Sequence, residues 1–199
     1  MGANRPVTLY ISAAADLMAE REALARMVAA LPVTLAWRIA QTPVTDADFL
    51  DLEALQVADL HLLVMGSDIR APVGLEERIA SRAGRLSAAF LKRGILRTPA
   101  GQVFIKGAGV AWQPFADVAD LTRQVQRLLV EHLVSYALRY ALTPEEVARL
   151  EALTPAEEPA RGGGGKEAGH SAVILSRERF EPSEGVVVDE AGHGPAEDQ

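Results

Sequence analysis

Apolar and polar positions along this chain switch between two periods. Val7-Thr8-Leu9-Tyr10-Ile11 is a short β-rich run and predicts a first strand. From about residue 14 to 31, Leu17, Leu24, Val28 and Leu31 recur at helical spacing, with Glu20, Arg21 and Glu22 between them, and Pro32 closes the helix. Val33 to Trp37 predicts the second strand. Thr45 followed by Asp48 resembles a capping box and predicts a helix over 46–57, with Phe49, Leu52 and Leu55 facing inward. Leu60-His61-Leu62-Leu63-Val64-Met65 is apolar on both faces apart from His61. That is the pattern of a central strand covered by helices on each side.

Beyond a loop from Gly66 to Gly74, the spacing predicts a long helix over 75–93. Val103-Phe104-Ile105-Lys106 predicts another strand, and Val110-Ala111-Trp112 a further short strand or a loop. Asp117 or its neighbour is placed to cap a helix over 118–140. Its apolar stripe runs through Leu121, Val125, Leu128, Leu129 and Leu133. Tyr136, Leu138 and Tyr140 widen that stripe, for core packing or for an oligomer contact. Thr143-Pro144-Glu145-Glu146 combines an N-cap, a proline at the first helical position and a glutamate three residues after the cap, so a helix starts there and ends near Leu153. This alternation predicts a Rossmann-like three-layer α/β sandwich over 5–153, built on a parallel sheet of about five strands.

Composition changes near residue 154. Pro155, Pro159 and Gly162 to Gly165 read as a flexible linker into an acidic tail over 154–199. Two apolar islands, Ala172 to Leu175 and Val186 to Val188, interrupt it. The tail reads as disordered, or as a tethered peptide that adds a strand to a partner's sheet.

The net charge of −7 argues against a duplex nucleic-acid binder, which needs a basic footprint. Absence of cysteine removes disulfides, thiolate metal sites and a cysteine nucleophile, and fits a cytoplasmic protein. His61, His132, His170 and His193 lack the spacing of a metal site, so no metal is expected. No apolar run approaches the roughly 20 residues of a membrane span. Ala13-Ala14-Ala15 looks like a leader cleavage site, but the apolar stretch before it is too short. Lys106-Gly107-Ala108-Gly109 lacks the order of a phosphate-binding loop, and no Gly-x-Ser-x-Gly elbow is present.

Ligands of parallel sheets sit at the carboxyl ends of strands. This directs attention to Ser12 through Asp16 and to Gly66 through Glu77. Asp16 at a helix start suits a ribose hydroxyl or a cap, Ser12 a ligand or the backbone, and Arg70 an anion or solvent. Glu20 and Arg21 are expected to form a structural ion pair or to pack on the following loop.

The run Tyr10-Ile11-Ser12-Ala13-Ala14-Ala15-Asp16-Leu17-Met18-Ala19-Glu20-Arg21-Glu22 resembles the opening of a TIR-like bacterial domain of unknown function. Such domains stand at the N-terminus of large signalling NTPases and defence-related proteins. A second landmark, Ala58-Asp59-Leu60 through Gly66, and the helical Glu76 or Glu77 extend the resemblance over about 6–130. More distant relatives are TIR domains and nucleoside deoxyribosyltransferases. The resemblance implies a signalling module that works by self-association or a protein partner. It also implies a nucleotide site formed by Ser12, Asp16, Gly66, Ser67 and Arg70, with no resident cofactor. In enzymatic relatives one glutamate faces the sugar C1 as a base or nicotinamide leaves. Glu76 and Glu77 are the matching carboxylates for an N-glycosidase acting on NAD or a nucleoside, and Glu76 stands four residues before Ala80 as in the transferases. Two glutamates in a first helical turn also complement the macrodipole without any chemistry. The family's hydroxyls after the first serine are Ala13 and Ala14 here, and its aromatic after Gly66 is missing. Val73-Gly74-Leu75 replaces its hydroxyl before the glutamate. These losses imply a degenerate site.

Overall fold

The computed structural model describes residues 6–44 and 49–153. The expected capping box at Thr45 and Asp48 and the expected linker and tail lie outside the described residues. Strands and helices alternate as β1 (Val7–Ala13), α1 (Met18–Ala29), β2 (Trp37–Gln41), α2 (Leu52–Val57), β3 (Leu60–Met65), α3 (Ala71–Arg82), β4 (Leu86–Lys92), α4 (Pro99–Gly107), β5 (Trp112–Phe115), α5 (Val118–Ser135) and α6 (Pro144–Glu151). The five strands are parallel and ordered β2-β1-β3-β4-β5. Winding therefore reverses between β1 and β3, the switch point at which such sheets open a crevice. No helix among the described residues is long and apolar enough to cross a membrane.

Strand alternation gives the sheet two unlike faces. Leu9, Ile11 and Ala13 of β1, Leu60, Leu62 and Val64 of β3, and Phe90 of β4 pack with α1 and α5 in the main core. The stripe foreseen on α5 supplies Leu121, Val125, Leu129 and Leu133, all fully buried, with Leu128 partly so. On the opposite face, Tyr10 packs with Ala54, Leu55 and Ala58 of the α2 segment and with Ala80 of α3. Leu63 and Ala89 pack there with Val73. β3 is central and buried along its whole length, as its apolar run predicts.

Several elements differ from the sequence reading. The second strand is Trp37–Gln41, not Val33 to Trp37. β2 is an edge strand with half-buried residues, so an apolar run is not its signature, and Val33 and Leu35 pack on the core as connecting chain. α2 starts later than expected, at Leu52, where the Asp51 side chain accepts the Ala54 N–H at 2.8 Å. Leu55 faces inward, whereas Phe49 is 96% exposed and Leu52 41%. The helix expected over 75–93 is α3, and it runs only from Ala71 to Arg82. Gly84, at φ +63°, turns the chain where an L side chain is strained, and β4 follows in the slot between β3 and β5. The strand expected at Val103 is part of α4, opened by the Thr98 cap and Pro99. α5 is capped by Asp117 as expected but stops at Ser135, leaving Leu138 99% exposed while Tyr140 is buried. α6 carries the full capping box of Thr143 and Glu146.

Candidate functional site

The even positions of β1 bring polar groups under the sheet. Thr8, Tyr10 and Ser12 are all buried and share the face that carries His61 of β3. α3 crosses that face and inserts Glu76, which has no solvent exposure. The Tyr10 hydroxyl donates to Glu76 Oε1 at 2.7 Å. Thr42, just past β2, donates its hydroxyl to Glu76 Oε2 at 2.6 Å. The direction of that bond is fixed, because Thr42 Oγ1 already accepts the Ala13 N–H at 3.0 Å and has its own proton left to give. Ser12 Oγ lies 2.7 Å from His61 Nε2, and its hydroxyl is near enough to Glu76 to favour the ionised carboxylate.

Burial dominates the electrostatics here. It raises the pKa of Glu76, against the hydroxyls of Thr42, Ser12 and Tyr10 and the charge of Arg21, which lower it. Burial pushes His61 down to about 4, so its imidazole is neutral near pH 7. Burial first, and then the neighbouring Glu76, raise Tyr10 and keep it a neutral donor. The result is a buried cluster of a neutral imidazole, a serine hydroxyl and a carboxyl group.

Glu76 and Glu77 part company. Because α3 begins at Ala71, neither stands in its first turn, which holds no acidic residue. The macrodipole reading therefore fails for both. Glu77 points away from Glu76 and accepts the Ser81 hydroxyl at 2.8 Å. It borders two adjoining clefts of about 560 and 610 Å³, which Ser81 and Ala108 also line. Ala80, four residues after Glu76, shares its buried face.

The remaining expected ligands form a separate clasp at the switch point. Asp16 lies in a 3-10 turn, Ala15–Leu17, and caps no helix with its side chain. Its Oδ2 accepts the Ser67 N–H at 2.9 Å and the Ser67 hydroxyl at 2.5 Å. Gly66 is required for this approach, since a Cβ there would stand 2.6 Å from Asp16 Oδ2. On its other side the loop is held by Thr98, which donates its hydroxyl to Asp68 and its N–H to the Ser67 carbonyl at 3.0 Å. Arg70 is exposed and precedes α3 without a capping side chain. Of the expected site residues, the structure thus joins Ser12 to Glu76 and Asp16 to Gly66 and Ser67, and leaves Glu77 and Arg70 apart from both groups.

Glu20 and Arg21 do not pair with each other. Glu20, buried, takes Lys92 at the end of β4 at 2.7 Å. Arg21 reaches the end of β2, donating Nε to Gln41 Oε1 at 3.0 Å and one amino group to the Thr42 carbonyl. Tyr10, Thr42, His61 and Arg21 were missed as site residues. The signal for two of them was local: a polar period of two in β1, and one histidine in an otherwise apolar strand. No family model, no curated protein and no solved structure matches this chain.

Proposed function

We propose that the protein is a cytoplasmic TIR-like signalling or defence-related module that acts through a protein partner or self-association. In this reading it binds a nucleotide at the strand ends with little or no turnover. The observation that supports the lack of turnover is the state of Glu76. Both carboxylate oxygens are engaged by hydroxyls of the chain's own Tyr10 and Thr42, and the side chain has no solvent exposure. A glycosidic carboxylate must face a sugar carbon, and this one faces β1 and β2. In this role Glu76 latches α3 to two strands. The erosion of the family's hydroxyls to Ala13 and Ala14 points the same way.

One observation favours a second reading, an N-glycosidase of NAD or nucleosides working through Glu76. A buried carboxyl group with a raised pKa, beside a serine–histidine pair, is the kind of perturbed cluster that active sites assemble. Incubation of concentrated protein with NAD and a panel of nucleosides, followed by chromatography, separates the two. The expected result is no free base and a raised melting temperature with at least one nucleotide. Base release by the wild type, lost in Glu76→Gln while the fold persists, overturns the first reading in favour of the second.

A further inference from the structure

The Arg21 side chain is anchored at two of its three nitrogens. Nε is held by Gln41 and one amino group by the Thr42 carbonyl, which fixes the plane of the guanidinium. The other amino group, Nη1, is buried and has no hydrogen-bond partner among the described residues, in a residue only 3% exposed. A buried donor without a partner is costly, and in a native fold it calls for an explanation. No ion pair joins Arg21 to any described residue, and the nearby Glu76 is occupied by hydroxyls. Burial also opposes ionisation of Glu76, which weakens the compensation of the Arg21 charge. The guanidinium sits at the carboxyl end of edge strand β2, where the chain turns outward: Thr42 is buried and Val44 is 42% exposed.

We infer that Arg21 is the anion receptor of this strand-end site, its spare amino group taking an oxygen of a phosphate, whether carried by a nucleotide or free. The inference rests on the strand ends being a ligand site, and it specifies the class of ligand. A planar fork held at two points presents its remaining donor at a fixed angle, the arrangement that suits a phosphate oxygen. Glu76 lies close enough to act on the Arg21 charge, so that its own charge, when ionised, opposes an incoming anion.

The test is calorimetric titration of the wild type, Arg21→Met, Arg21→Lys and Glu76→Gln with AMP, adenosine and inorganic phosphate. AMP is expected to bind the wild type at least tenfold more tightly than adenosine. Arg21→Met should bring that ratio to about one, Arg21→Lys should keep part of it, and Glu76→Gln should raise it. A merely structural Arg21 would not move the ratio in opposite directions in the two variants. Phosphate that competes with AMP identifies the free anion as a sufficient ligand. Phosphate that fails to compete identifies the nucleotide. If Arg21→Met does not fold, Gln41→Ala, which keeps the charge but unseats the fork, must lower the ratio. Equal binding of AMP and adenosine by the wild type overturns the inference while leaving a ligand site in place. No binding of any probe removes the ligand site and the inference together.

Discussion

The two faces of the sheet are built from the same strands and obey different rules. Toward α1 and α5, the odd positions of β1 and the even positions of β3 are wholly apolar. Toward α2 and α3, the alternate positions bury Tyr10, Ser12 and His61 against Glu76. Removing one partner of such a buried hydrogen bond is costly, whereas replacing both by apolar groups of the same shape is often nearly neutral. One face is held by apolar packing alone, and the other combines apolar packing with a buried hydrogen-bonded cluster.

Truncation at the apolar face should have the largest effect. Phe90→Ala removes a fully buried ring and is expected to cost about 3–5 kcal/mol, read by urea unfolding. A loss under 1 kcal/mol would erase the contrast between the faces.

The pH dependence should belong to the polar face. His61 titrates near 4 in the fold and near 6.5 in the unfolded chain, so between these values only the unfolded chain binds the proton. The His61 contribution should fall by on the order of 3 kcal/mol as pH drops from about 6.5 to 4. Glu76 has the opposite sign. Its raised value makes its contribution greatest below about 4.5, and that contribution is lost as pH rises through the folded value. Unfolding measured from pH 6.5 to 4.5 should therefore show a shallower slope in His61→Gln and a steeper one in Glu76→Gln. His132, lowered first by burial and then by Arg139, adds to the His61 slope and is retained in both variants. Parallel slopes in all three proteins would detach the pH response from this cluster.

A smaller effect is expected from Tyr10→Phe, which leaves Glu76 Oε1 without its hydroxyl donor. About 1–3 kcal/mol should be lost, with the apolar face unchanged in hydrogen exchange. Thr143→Ala sharpens the comparison from outside both faces. It removes the α6 cap and should cost about 1 kcal/mol, measured by thermal unfolding.

Legibility in the sequence follows the same division. β3 and the α5 stripe were readable because apolar periodicity alone defines them. β4 was not, because an alanine-rich run suits a helix and only the slot between β3 and β5 makes it a strand. α4 was misread because Val103-Phe104-Ile105 is β-branched and aromatic, while the Thr98-Pro99 start signal decides the outcome. Glu76 was singled out through its resemblance. Its partners lie 34 and 66 residues away and become neighbours only through the crossover that places β1 beside β3 and under α3. Arg21 carried the least local signal, since a helix-borne arginine between two glutamates reads as a surface charge.

The central claim is that Glu76 and Tyr10 act as one unit on the polar face. A double-mutant cycle tests it most directly, with urea unfolding of wild type, Tyr10→Phe, Glu76→Met and the pair. The account predicts a coupling of about 1–3 kcal/mol, because phenylalanine at position 10 costs little once the carboxyl group is gone. Additive losses, within about 0.5 kcal/mol, would contradict it and leave the two faces of the sheet as one ordinary core.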